Sequence, residues 1–277
     1  MLFLESRAAD ERPPAVVVQG APYDAATSYR RGSAEAPAAV RSASDSIESF
    51  SPRTQRDLID VDIADAGDID LPGGLRPEDA LDRIAAATEQ HARNGSLVVT
   101  FGGDHSISVG TARGLRAVYP DLVHLVYDAH MDMREQYEGS EWSHACGTRH
   151  LSGAGATCVL GVRSGCREEW SDATKLLTGF AEDLVIPSAF RVAMAGMPLF
   201  ISVDMDVLDP SILPGTGNPE PGGPTYKELR DSLLSLAGSR VVGIDFVEVA
   251  PPIDSSGLSP IVAAELARDC ILGLLVP

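Results

Sequence analysis

The chain has 277 residues, 44% of them apolar, and a formal charge of −18. So acidic a surface argues against nucleic-acid phosphate or an anionic membrane as the main partner, and no apolar run approaches the roughly 20 residues of a membrane-spanning helix. The length can bury one large core, so residues 1–277 are expected to form a single domain, and residues 1–12 lack the pattern of a secretory signal, which fits a cytoplasmic protein; its acidity reads first as a solvated surface, and as a field it would favour a cationic ligand.

Along the chain, residues 15–18 form a short apolar run closed by Gly20 and predict a buried strand. A polar loop over 24–33 follows. Pro37 opens a helix expected to continue through Val40 and Ile47 towards Phe50, and the alternation of apolar and acidic residues over 58–64 predicts an edge strand. Pro72-Gly73-Gly74 breaks the chain before a helix over 77–93, where Leu81, Ile84 and Ala85 recur at helical spacing.

From residue 96 a unit repeats: an apolar strand, a polar loop at its end, then an amphipathic segment. Residues 96–101 run into Gly102-Gly103-Asp104-His105 and a helix over 106–119. Residues 122–127 run into Asp128-Ala129-His130-Met131-Asp132, 157–161 into Arg163-Ser164-Gly165, 199–203 into Asp204, Met205 and Asp206, and 241–247 into Glu248. The stretch 215–223, GTGNPEPGG, is too rich in Gly and Pro for a regular element. Strands alternating with helices predict an α/β fold, a three-layer α/β/α sandwich around a mainly parallel sheet. In such sheets ligands bind beyond the carboxyl ends of the strands, where these loops lie.

In an extended chain Asp128, His130 and Asp132 share one face, and carboxylate with imidazole suits manganese, iron or zinc. The plainer alternative is a polar strand end with a salt-bridged His. Asp204 and Asp206 straddle Met205 and are expected to face one side of a buried strand end, where two anions repel unless a cation lies between them; the plainer alternative is that they cap loops or pair with Arg. With His105 the set comprises two His and four Asp, more than one ion takes from a protein. It suits two ions sharing a water whose pKa they lower, and so metal-assisted hydrolysis at carbon or phosphorus.

Cys146, close to His144, raises the alternative of a Cys/His nucleophile. The four cysteines lack paired spacing and read as reduced thiols, and His91, His124 and His150 read as structural or surface residues.

The motifs Gly102-Gly103-Asp104-His105, Asp128-Ala129-His130-Met131-Asp132, Ser202-Val203-Asp204-Met205-Asp206-Val207-Leu208-Asp209-Pro210 and Glu248-Val249-Ala250-Pro251 resemble, in order, those of the ureohydrolases, the arginase and agmatinase superfamily. The likeness runs from about Gly20 to Leu274. It implies the same three-layer fold and two Mn2+ per subunit. One ion would be held by His105, Asp128, Asp132 and Asp204, the other by Asp128, His130, Asp204 and Asp206, with Asp128 and Asp204 bridging. A bridging hydroxide would attack the guanidinium carbon, and the adduct would collapse to urea and an amine.

By the same resemblance Glu248 would hold the guanidinium, His144 would protonate the leaving amine and Asp128 would relay the proton, the last two sharing the task in a way the sequence leaves open. The segments Glu138-Gly139-Ser140-Glu141-Trp142-Ser143 and Arg163-Ser164-Gly165 resemble the agmatinase side of the family, whereas Ala36 stands where many relatives carry Gly. The expectation is therefore agmatine hydrolysis to putrescine and urea, a step of polyamine synthesis, by a homo-oligomer, trimer or hexamer. The alternatives are a guanidinobutyrase, an arginase or a non-catalytic metal-binding relative.

Overall fold

Nine strands run parallel in one sheet in the computed structural model, which describes residues 1–10 and 12–275. In chain order they are β1 (Arg7–Ala8), β2 (Val16–Ala21), β3 (Ile63–Asp68), β4 (Leu97–Gly102), β5 (Val123–Tyr127), β6 (Thr157–Leu160), β7 (Gly179–Ala181), β8 (Leu199–Asp204) and β9 (Val241–Val247). Their order across the sheet is β1-β3-β2-β4-β9-β8-β5-β6-β7. The chain leaves a gap between β4 and β5, builds outwards to β7, then returns to fill the gap with β8 and β9. Four strands far apart in sequence thereby become consecutive neighbours: β4, β9, β8 and β5.

The helices are α1 (Ala36–Ser44), α2 (Pro77–Arg93), α3 (Ile107–Val118), α4 (Gly147–Ala154), α5 (Arg167–Leu176), α6 (Ser188–Met194), α7 (Tyr226–Leu234) and α8 (Leu258–Leu274). Successive strand residues serve opposite faces. Val99, Phe101, Leu125 and Tyr127 join the core containing Val40 of α1 and Leu266 of α8, while Val98 and Val126 join the core containing Ala112 and Leu115 of α3. A sheet covered on both sides explains why β2, β4 and β8 are buried at every position, as the unbroken apolar runs predict. The expected α/β/α sandwich is present. Among the described residues no helix is long and apolar enough to cross a membrane.

Two local expectations are corrected. The helix begun by Ala36 and Pro37 ends at Ser44 rather than near Phe50. The hydroxyls of Ser44 and Ser46 donate to the carbonyls of Arg41 and Ala43 at 2.8 and 2.7 Å, competing for the acceptors a longer helix would use. The strand expected over 58–64 begins only at Ile63, because Asp57 caps a 3-10 turn over Leu58–Asp60 by accepting the Ile59 N–H. Nor is it an edge, since β1 pairs along its outer side.

Candidate active site

The carboxyl ends of β4, β9, β8 and β5 stand side by side, and the polar loops predicted there converge. After β4, Gly103 passes so close to the Tyr23 carbonyl that a Cβ would collide with it. The Asp104 N–H donates to that carbonyl at 2.8 Å, and the Gly103 carbonyl accepts the Glu248 N–H at 2.9 Å. The turn carrying His105 is thus held from two sides.

Asp128 is the common element of the site. Its Oδ2 lies 3.1 Å from His105 Nδ1, which also stands 3.1 Å from Asp132 Oδ2 and 3.3 Å from Asp204 Oδ2. Its Oδ1 lies 3.6 Å from His130 Nδ1, itself 3.0 Å from Asp206 Oδ2. Two groups able to hold a metal ion result, His105/Asp128/Asp132 and Asp128/His130/Asp206, each with ligand atoms within 4.8 Å of one another. Asp204 lies outside both groups as drawn but joins them, through His105 and by accepting the Asp206 N–H at 2.9 Å.

The residues meet by a different route from the strand alternation expected of them. β5 ends at Tyr127 and β8 at Asp204, and Met205–Val207 is a 3-10 turn capped by the Asp204 carboxylate. Turns bring the carboxylates together rather than the pleat. Asp132 and Glu248 have φ of 50° and 61°, a conformation that costs a non-glycine residue about 1–3 kcal/mol and persists where the surroundings enforce it.

The chemistry of this donor set fits divalent cations. Among the described residues no Lys or Arg pairs with Asp128, Asp132, Asp204 or Asp206, and the buried Asp128 Oδ2 accepts no hydrogen bond. Burial and the neighbouring Asp128 charge push Asp132 up to about 6; burial and Asp206 drive Asp204 well above the carboxylate range. His130 resists burial through Asp206 and Asp128, which push it up to about 12. Such shifts mark carboxylates short of positive charge.

The His105 tautomer agrees. Ser202 Oγ donates to Asp245 Oδ1 at 2.7 Å, so it accepts from His105 Nε2, 3.2 Å away, and the Nδ1 lone pair is left facing three carboxylates. Without a cation there, burial is overcome by Asp128 and Asp132 and the ring takes a second proton.

Above the ligands opens a cavity of about 340 Å³ whose lining includes His130, Asp204, Asp206, His144, Arg134 and Asn218. Glu248 lies buried beside it. Its Oε1 accepts the His105 N–H at 2.9 Å and stands 3.3 Å from His144 Nδ1. His144 opens a 3-10 turn leading into α4 and is only 8% exposed, and its Nε2 lies 2.8 Å from Ser28 Oγ. Burial disfavours the His144 charge, yet Glu248 raises its pKa to about 9.

Several residues that the sequence left without a role support the site. Asp104 Oδ2 accepts the Ala26 N–H at 2.8 Å and so ties the loop bearing Ser28 to the His105 turn, while Arg30 donates to the Thr216 and Gly217 carbonyls at 2.7 and 3.0 Å and seats the 215–223 loop. Asp245 did leave a sequence signal, as a lone acid in the buried run of β9. Cys146 is a buried thiol pushed up to about 11 by burial and Asp132, which leaves no thiolate to attack anything. His91 and His150 lie away from the cavity, the latter stacked on Trp142.

A site that, among the described residues, sets four acids against two imidazoles and no Lys or Arg, beneath an open cavity, is built to work with bound cations, as a metal-dependent hydrolase does. The family model described as Arginase family matches residues 14–273. The chain is 38% identical to an agmatinase of Bacillus anthracis, over 98% of this chain and 96% of that protein, and 36% identical to one of Bacillus subtilis, over 99% and 96%. The structure of the agmatine ureohydrolase of Thermoplasma volcanium superimposes with a TM-score of 0.86 at 30% identity, covering 98% of this chain and 93% of that one. The chain belongs to the arginase family and is a ureohydrolase.

Proposed function

We propose that the protein hydrolyses agmatine to putrescine and urea with two manganese ions, the first on His105, Asp128, Asp132 and Asp204 and the second on Asp128, His130, Asp204 and Asp206. When bound, the ions would supply an acidified water as the nucleophile. Glu248 receives the planar guanidinium through its carboxylate. His144 carries a proton at neutral pH and donates it to the departing amine. Asp128, with an oxygen towards each imidazole, would hold and pass on the proton given up there. The protein is further proposed to act in the cytoplasm as a homo-oligomer, a trimer or hexamer.

The observation that carries the choice of agmatine is the charge around the cavity. Glu220 Oε1 stands 3.8 Å from His130 Nε2 and accepts from Ser164 Oγ at 2.8 Å, which places a carboxylate near the site to favour a terminal ammonium. Arg134 favours a second reading, an ω-guanidino acid, because it is a cation on the same cavity. It is already engaged by Glu169 at 3.5 Å and by the Tyr137 ring at 4.9 Å, so agmatine is preferred. Urea release with added Mn2+ should give agmatine a kcat/KM about a hundredfold above arginine or 4-guanidinobutyrate. No release from agmatine would remove this reading.

Replacing His144 by Asn should lower kcat on the order of 10²-fold, the lower end of what a positioned acid supplies, since water in the cavity can substitute in part. Metal content should stay unchanged. Unaltered turnover would take His144 out of the mechanism.

A further inference from the structure

Behind the active site, between α3 and α4, lies a second cavity of about 350 Å³ whose lining includes Arg113, Arg116, Arg149 and His124. Three guanidinium groups around one hollow stand out in a chain of net charge −18. Arg149 is satisfied by Glu135 and Asp172, and Arg113 reaches an exposed Asp82 only at 3.5 Å. Arg116, among the described residues, has no hydrogen-bonded or ionic partner.

His124 is a second, independent sign. It is the second residue of β5, 1% exposed, and its Nε2 has no hydrogen-bond partner. Its other nitrogen fixes the tautomer. Thr157 Oγ1 spends its one proton on the Gly155 carbonyl at 3.0 Å, so it must accept from His124 Nδ1 at 3.1 Å. Nε2 therefore offers a lone pair. Burial and the nearby Arg116 hold the ring neutral, its pKa pushed down to about 3. A Cβ on Gly155 would stand 3.1 Å from His124 Cε1 and 3.5 Å from Arg116 Nη1, so both side chains border the space that this glycine leaves open.

We propose that this cavity binds a small oxyanion that keeps a hydroxyl at neutral pH, of the hydrogen phosphate or bicarbonate type. The charged oxygens meet Arg116 and Arg113, and the hydroxyl donates to His124 Nε2. A bare cation is repelled by the arginines, and an anion without a proton leaves the imidazole acceptor unsatisfied. His124 lies four residues before Asp128 on the same chain segment, about 13 Å along an extended strand, so the site is separate from the metal ligands. The two helices that flank it begin just after His105 and His144, so occupancy also braces the elements that lead from the active site.

Calorimetric titration of the metal-loaded protein with inorganic phosphate, bicarbonate and sulfate tests this. Phosphate or bicarbonate should bind saturably, and whichever binds tighter identifies the source. Sulfate should bind at least about tenfold more weakly, because it carries no hydroxyl at neutral pH. Arg116→Glu, an exposed change outside the catalytic machinery, should weaken phosphate binding by at least about tenfold while leaving urea release in phosphate-free buffer unchanged. Phosphate taken up at the metal centre would survive that variant, so undiminished binding overturns the proposal. So does sulfate binding equal to phosphate, or no saturable binding of either hydroxylated anion.

Discussion

Asp128→Asn is expected to release both metal ions and to lower urea formation by about a thousandfold or more, the equivalent of several kcal/mol of lost electrostatic and nucleophile stabilisation. The reason lies in how its two oxygens are spent. Oδ2 faces His105 and Oδ1 faces His130, so among the described residues Asp128 alone belongs to both candidate groups. An amide keeps the size but not the charge and offers one acceptor where two are needed. His130→Ala should behave differently, because the group formed by His105, Asp128 and Asp132 stays whole. One ion should then be lost preferentially. Metal counting on the two gel-filtered variants separates these outcomes; retention of both ions by Asp128→Asn would refute the shared-ligand arrangement.

The central strands and the residues at their ends were legible because a parallel sheet buried on both faces writes each strand as an unbroken apolar run, and a charged residue at its end has few other reasons to be there. The route by which those residues meet was not legible. Alternation along a strand was expected to pair Asp204 with Asp206, whereas the Asp204 carboxylate itself ends the strand by capping a turn. The same competition between short polar side chains and regular elements displaced two other boundaries, through Ser44 and Ser46 at the end of α1 and through Asp57 before β3. Strands β1 and β7, of two and three residues, carry too little pattern to register. The roles of Ser28 and Ser202 are illegible for a different reason: each matters only through the imidazole that a distant segment brings to it.

The pairing of Glu248 with His144 implies the second large effect. Glu248→Gln should lower kcat/KM by roughly 30-fold to several thousandfold, the 2–5 kcal/mol typical of removing one partner from a buried charge pair, with metal content intact. Burial works against ionising Glu248, but His144 and the His105 N–H hold its pKa below the ordinary 4.5. The effect on His144 has a defined sign. In the wild type its pKa is raised from 6.5 to about 9, so below pH 6.5 the His144 charge stabilises the fold fully while Glu248 stays ionised, and that contribution is lost as the pH rises through about 9. In the variant burial remains while the largest source of the upward shift is gone, so the imidazole should lose its proton at a clearly lower pH. Following the His144 ring by NMR across pH 5 to 10 in both metal-free proteins measures that displacement. An unmoved titration would mean that Asp132 and Asp104, the more distant contributors, sustain the His144 charge without Glu248.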